Sequence, residues 1–214
     1  MAQVPTGSTF YIASAYGSAK TVTIVTNATE AVVTAAAHGF SNGDVVEMTS
    51  GWGRLNKRHF EIESVLTDSF VLSGEDTTNT TFYPVGTGIG SVRKATTFTQ
   101  ITSVMNPQSS GGDPKTVTYK FVESDVEYSI NDGFGATSYT MELDADALGS
   151  AGYTALKSLT QVQTDTCLKV VTRSGSRVYQ PCTVALNESI RMQDGQINRV
   201  TCAFNGNNRL TRAS

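Results

Sequence analysis

Two runs of carboxylates are the side chains here whose spacing could do chemistry. Glu123, Asp125 and Glu127 form one set, and Glu142, Asp144 and Asp146 form another. Paired acids serve glycoside hydrolysis, one as general acid and one as nucleophile or base. Such clefts also use aromatic platforms. The one tryptophan, Trp52, sits far away in a Gly51-Trp52-Gly53 loop. A solvated acidic face accounts for both sets better, and acids at alternate strand positions would make that surface negative.

The remaining reactive residues form no constellation. The two histidines are His38, at a turn entry in Ala37-His38-Gly39-Phe40, and His59, after Lys57-Arg58. Neither has a cysteine or aspartate at ligand spacing, and nucleophile–base chemistry needs a third partner. Both read as surface or turn residues. Cys167, Cys182 and Cys202 stand 15 and 20 positions apart with no CxxC pair. They read as buried free thiols, not zinc ligands. Gly86, Gly88 and Gly90 make a GxGxG without the third glycine or the following helix of a nucleotide fingerprint. No catalytic, cofactor or metal residue is expected, and the chain is not expected to be an enzyme. The Asn27, Asn79 and Asn187 triplets of N-x-[ST] form are chance matches in a Thr-rich sequence.

Composition narrows the partners. Over 214 residues, 39% are hydrophobic and 16% charged, with a net charge of -3. Gripping phosphate backbones takes clustered Lys and Arg, and Lys57-Arg58 is too short a cluster. The start of the chain shows no basic region followed by an apolar run, so no signal peptide is expected. No stretch approaches the ~20 apolar residues of a membrane span, so no membrane partner is expected.

The elements that must position these groups are short strands. Segments 20–26, 45–49, 60–66 and 69–72 alternate between turn signals such as Ser41-Asn42-Gly43-Asp44, the rhythm of a small barrel or sandwich. Segment 82–90 reads as an exit strand or linker. The character shifts at Lys94, and 97–104 is a strand. Segment 106–115, with Pro107, Ser109, Ser110, Gly111, Gly112 and Pro114, reads as a loop. Segment 116–130 alternates with a change of parity, which predicts one strand bulged near 123–125. Asn131-Asp132-Gly133 reads as a turn, and 138–143 as the next strand. One helix is expected after Ser150, with Tyr153, Leu156 and Leu159 on its apolar stripe. Two hairpins close the chain: 167–172 with 177–185, and 190–193 with 196–204 about Asp194-Gly195. Strands, one helix, then strands predict a mainly β protein: an antiparallel β-sandwich or barrel with one short α-helix.

Five segments stand in order along the chain. Thr9-Phe10-Tyr11-Ile12 comes first, then Phe98-Thr99-Gln100-Ile101-Thr102-Ser103-Val104-Met105-Asn106-Pro107. Thr137-Ser138-Tyr139-Thr140-Met141-Glu142-Leu143 leads into the helix. Lys169-Val170-Val171-Thr172-Arg173-Ser174-Gly175-Ser176 and Gln196-Ile197-Asn198-Arg199-Val200-Thr201-Cys202-Ala203-Phe204-Asn205-Gly206 follow. On these segments the region 97–210 resembles the major tail tube proteins of long-tailed, lambda-like phages (siphoviruses). The first segment is similar to that family's first strand, and the second to its second strand and exit. One departure stands out: 21–92 looks inserted, and it resembles a small barrel module of phage structural proteins. The resemblance implies a discontinuous tail-tube domain, 1–20 and 93–214, with an inserted β-barrel, 21–92, on the outer surface. No separate C-terminal decoration domain is expected, since the sequence stops at Ser214.

It also implies stacked hexameric rings forming a tube in the virion, assembled in the host bacterial cytoplasm. Expected partners are further copies of the chain, a tape measure protein in the lumen, tail terminator and distal tail or baseplate proteins at the ends, and DNA in non-specific passage. A neutral-to-acidic lumen would let DNA slide. The candidate lumen residues are Glu123, Asp125, Glu127, Glu142 and Asp144. The candidate inter-subunit or inter-ring loop contains Asn106, Pro107, Gly111, Gly112, Pro114, Asp132 and Gly133. It is expected to be mobile in a monomer and ordered in a tube. Replacing 21–92 by a short linker is expected to leave assembly intact. Competing readings are a contractile-tail or type VI inner tube, a tail terminator, a carbohydrate-binding sandwich with Trp52 and Tyr83 at its site, and, last, an unrecognised enzyme.

Overall fold

The structure, a computed structural model, describes residues 6–213; the leader reading of the first residues lies partly outside them. Strand β1 (Thr9–Tyr16) buries alternate residues Phe10 and Ile12. Six short strands follow: β2 (Lys20–Val22), β3 (Ile24–Val25), β4 (Val32–Thr34), β5 (Val45–Ser50), β6 (Arg58–Glu63) and β7 (Ser69–Leu72). Then comes β8 (Gly90–Ile101), 12 residues long. The half of β8 from Gly90 to Lys94 pairs with β2 and β5, and the half from Ala95 to Ile101 pairs with β1.

β2 and β3 act as one bent strand. The Thr23 amide between them donates to the Thr34 carbonyl at 3.0 Å, joining the β8 ladder to the β4 ladder. The circuit β3–β4–β7–β6–β5–β8–β2 therefore closes into a barrel. Closure leaves no sheet edge to template aggregation. Val22, Met48, Trp52, Phe60, Ile62, Phe70 and Val92 fill its core.

After β8 the chain forms β9 (Val104–Gly111), β10 (Pro114–Tyr119), β11 (Tyr128–Phe134) and β12 (Thr137–Asp144). A 3-10 turn (Ala145–Gly149) leads into α1 (Ala151–Val162), then β13 (Thr166–Val171), β14 (Arg177–Arg191), β15 (Arg199–Gly206) and β16 (Thr211–Ala213). Ser150 caps α1, its hydroxyl accepting from the Tyr153 amide, and Gln163 ends it in the left-handed region. The strand order β8–β1–β13–β14–β15–β12–β9 is antiparallel throughout. This sheet curls on itself. Phe10, Ile12, Ile101 and Leu168 from one half share a core with Met141, Leu143, Cys202 and Phe204 from the other, and with Tyr153 and Leu156 of α1. All three cysteines are buried free thiols.

The mainly β fold with one helix stands as expected, and several local expectations do not. Segment 106–115 is not a loop: it runs through β9 into the start of β10, and Asn106, Pro107 and Gly111 lie in β9. Segment 116–130 is not one bulged strand. It holds the end of β10, the connection 120–127 and the start of β11, because its two parities belong to two paired strands. Asp132 and Gly133 are inside β11, opposite an irregularity at Lys115/Thr116. The strands expected at 177–185 and 190–193 are one strand, β14, with a register shift between Asn187 and Arg191, and β15 starts at Arg199 rather than 196.

Barrel and curled sheet meet across a third cluster of Ala13, Val45, Ala95, Cys167 and Tyr179. The Tyr179 hydroxyl donates to Glu61 Oε2 at 3.0 Å, Arg177 Nε lies 3.2 Å from the same oxygen, and Asn208 Nδ2 donates to the Gly53 and Asn56 carbonyls at 3.1 and 2.7 Å. Removing 21–92 would strip these contacts and expose part of the cluster, so that deletion carries a stability cost the sequence reading did not foresee.

Helix α1 packs directly onto β8 through Gly152. A Cβ there would collide with the Gln100 carbonyl oxygen and sit 2.9 Å from Ile101 Cα. Glycine to alanine in a helix ordinarily stabilises by up to about 1 kcal/mol. Here Gly152→Ala should instead destabilise by about 1–3 kcal/mol, since the backbone must shift. Denaturant melts check the sign; a more stable variant would refute the close approach.

Candidate functional site

The pair β9–β12 continues outward as the pair β10–β11. The first ladder runs from Val104↔Leu143 to Gly111↔Thr137, and the second from Pro114↔Phe134 to Tyr119↔Tyr128. Gly111 and Gly112, at φ +77° and +79°, turn the chain between them. A Cβ on Gly111 would lie within van der Waals overlap of the Ala136 carbonyl oxygen, so only glycine fits. Among the described residues β10 and β11 pair with each other and with no other strand.

Register gives this ribbon two unlike faces. Val117↔Ile130 and Tyr119↔Tyr128 share one, and Thr116↔Asn131 and Thr118↔Ser129 the other. Tyr119 and Tyr128 stack at 5.5 Å, and Phe121 meets them edge-on at 5.4 and 5.9 Å. Val117, Phe121 and Ile130 are nevertheless 53–55% exposed. A lone two-stranded ribbon is marginal in water, and a contiguous exposed apolar patch marks a site of association. β9 adds a second unsatisfied feature, since it is the last strand of the sheet on that side.

The sheet β14–β15–β12–β9 also has two faces. Met141, Leu143, Val200, Cys202, Val184 and Leu186 point into the core. Ser138, Thr140, Glu142 and Asp144 of β12 alternate to the open face, beside Thr201, Ala203 and Asn205 of β15 and Thr183, Ala185 and Asn187 of β14. The Ser110 and Ser138 hydroxyls meet on it at 2.8 Å. This face is small, hydroxyl-rich and almost free of charge.

The predicted acidic residues do not form one surface. Glu142 lies on the open face but is bridged to Arg199 at 2.9 Å and Arg191 at 3.8 Å, and accepts from Asn106 at 2.7 Å. The Arg199 and Asn106 hydrogen bonds hold its carboxyl below the usual range. Asp144 caps the 3-10 turn by accepting from the Asp146 amide. Glu123, Asp125 and Glu127 lie in the 120–127 connection at the ribbon tip, exposed and outside any sheet.

Other sequence readings change more. His38 and His59 are buried. His59 Nε2 meets the Tyr16 hydroxyl at 2.8 Å, beside Glu47, which Arg93 grips at 2.5 Å and Lys57 approaches at 3.9 Å. Burial pushes the Glu47 carboxyl up, and Arg93 opposes that rise. This buried polar joint was not legible, because its members are scattered between positions 16 and 93. Trp52 and Tyr83, the pair expected of a glycan site, are buried edge-to-face at 5.2 Å. Trp52 Nε1 donates to the Pro84 carbonyl and the Thr87 hydroxyl, so neither ring offers a platform. Among the described residues no group of three or more His, Cys, Asp or Glu could hold a metal, and no helix is long and apolar enough to cross a membrane.

A family model described as phage tail tube protein, TTP, matches residues 50–214. The chain belongs to this family. It is a structural component of a phage tail and not an enzyme. The match begins at the last residue of β5 and takes in β6 to β16, which includes the curled sheet without its strand β1. Two solved structures are similar to this tail tube protein at 12% identity and a TM-score of 0.44. One is the tail of an empty gene transfer agent particle, from helical refinement with C6 symmetry, covering 55% of this chain and 87% of that chain. The other is the virion of a native gene transfer agent particle, covering 55% and 89%. No curated protein matches.

The joint makes the tail tube protein acid-sensitive in a specific way. Burial, then Arg93 and Lys57, lower His59 from 6.5 to about 3. The unfolded chain thus takes up a proton near pH 6.5 that the folded chain refuses. Stability from neutral His59 is complete above that pH and falls as pH drops toward 3. Relative to His59→Gln, the wild type should lose about 3 kcal/mol more between pH 7 and pH 4. Denaturant melts at each pH check this; parallel profiles would refute a buried neutral imidazole.

Proposed function

We propose that copies of this chain close into hexameric rings that stack as the tube of a long, non-contractile tail. The observation that carries the reading is the β10–β11 ribbon. It exposes Val117, Tyr119, Phe121, Tyr128 and Ile130 on one face and, among the described residues, pairs with no other strand of its own chain. In a chain of the tail tube family, a second copy is the occupant that covers such a ribbon and completes the β9 edge. Asn106, Pro107 and Gly111 of β9, Gly112 at the turn, and Pro114, Asp132 and Gly133 of the ribbon form the inter-subunit and inter-ring segment. Six copies per ring is the number the family resemblance implies.

In this reading the open face of β14–β15–β12–β9 lines the lumen, with Glu142 and Asp144 at one end and the ribbon-tip acids Glu123, Asp125 and Glu127 at its mouth. A tape measure protein fills the lumen before DNA passes it. Terminator and distal tail or baseplate proteins close the ends, and assembly takes place in the host cytoplasm. The barrel, 21–92, is an insertion into a tube domain of 1–20 and 93–214. It joins that domain through Tyr179 and Arg177, on the part of β14 remote from Ala185 and Asn187. Its position on the outer surface is what the family resemblance implies.

Negative-stain electron microscopy over a concentration series tests the reading, with rings or tubes of uniform width as the expected result. Tyr119→Asp combined with Ile130→Asp should abolish them while leaving the melting of the subunit unchanged. Amides of β10 and β11 should exchange quickly in the subunit and slowly in the tube. Normal tubes from the double variant, or unchanged exchange on assembly, would remove the ribbon from the interface.

A further inference from the structure

The charges of the open face are gathered at one end, and their register is unusual. Arg191 of β14 lies directly opposite Arg199 of β15. Like charges in a cross-strand pair repel, and two neighbouring guanidiniums are well shaped to clasp a phosphate. Glu142 occupies that fork. One of its oxygens accepts from Arg199 Nη1 at 2.9 Å and from Asn106 Nδ2 at 2.7 Å, and the other lies 3.8 Å from Arg191 Nη1. Asp144, opposite Arg199, is committed to the amide it caps. Beside them, Ser138 and Thr140 of β12, Thr201 and Ala203 of β15, and Thr183 and Ala185 of β14 bring only hydroxyl and methyl groups to this face.

We infer that Glu142 is a built-in charge mask: it fills, with the chain's own carboxylate, an Arg191–Arg199 fork that would otherwise hold a phosphate of a polyanion moving along this face. This rests on the reading that the face lines the channel. One exposed fork per subunit would repeat around every ring and down the tube. Polyanion binding strengthens steeply with the number of phosphates neutralised. A wall of such forks would hold DNA that must slide. Pairing with Glu142 engages Arg199 and offsets the charge of the more exposed Arg191, so the fork offers a passing phosphate little net attraction.

The test is a titration of assembled full-length tubes with a fluorescent DNA oligonucleotide at low and high salt. Wild-type tubes should retain little. Glu142→Gln preserves side-chain shape while uncovering both arginines. It should bind at least ~10-fold more tightly at low salt and lose that gain at high salt. Adding Arg191→Gln and Arg199→Gln should return binding to the wild-type level. If Glu142→Gln binds no more tightly than wild type, or the added substitutions leave its gain intact, the mask is refuted. All three groups lie in one chain, so the same titration on unassembled subunits decides the matter if the variant forms no tubes.

Placement of the face is tested separately. The buried native thiols are pushed up in pKa and should stay silent. Ala185→Cys tubes should therefore react with a small maleimide and not with one carrying a large polymer. Reaction with both puts the face outside and overturns the channel reading, whatever the titration gives.

Discussion

Strand β8 belongs to two sheets at once, and the rest of the molecule hangs on that continuity. Its first half closes the barrel with β2 and β5, and its second half starts the curled sheet with β1. A continuous ladder cannot swivel as a flexible linker does. The barrel is therefore held in one orientation, and the cluster of Ala13, Val45, Ala95, Cys167 and Tyr179 can form beneath the crossing. Gly90 meets the same constraint at the strand's start, where a side chain would collide with the Thr49 carbonyl.

The two halves then treat their edges oppositely. The barrel's ladders return on themselves, so it offers no strand to a neighbour. The curled sheet ends on β9 and throws out a ribbon with an aromatic face. The edge strand and the exposed aromatic face thus lie next to each other at one end of the sheet order. In the proposed tube this asymmetry would matter, because a heterologous contact repeats without limit only when it cannot be satisfied internally.

Electrostatics follows the same division. At the joint, Arg58 and Glu75 form a buried ion pair at 2.8 Å, completed by the Tyr83 hydroxyl on Glu75 and by Thr211 of the last strand on Arg58. Breaking such a pair is costly because it strands a buried charge, so these bonds favour one arrangement of barrel and sheet. On the open face, by contrast, the charges are few and mutually cancelled.

Alternation of apolar residues was enough to identify the mainly β class, and Tyr153, Leu156 and Ser150 were enough to place the helix, because both depend on periods local to the chain. The ordered set of segments from 97 to 210 carried the tail tube resemblance, which the family match upholds. Pairing was not legible. The Gly and Pro of 106–115 read as a loop because local preference cannot see that an edge strand tolerates both when its other side is held by β12. The burial of His38, His59 and Trp52, and the meeting of Glu142 with Arg191 and Arg199, depend on partners up to 57 positions away. Residue types determined what the chain could build. Only the register of strands distant in sequence decided which charges would pair and which apolar faces would be left exposed.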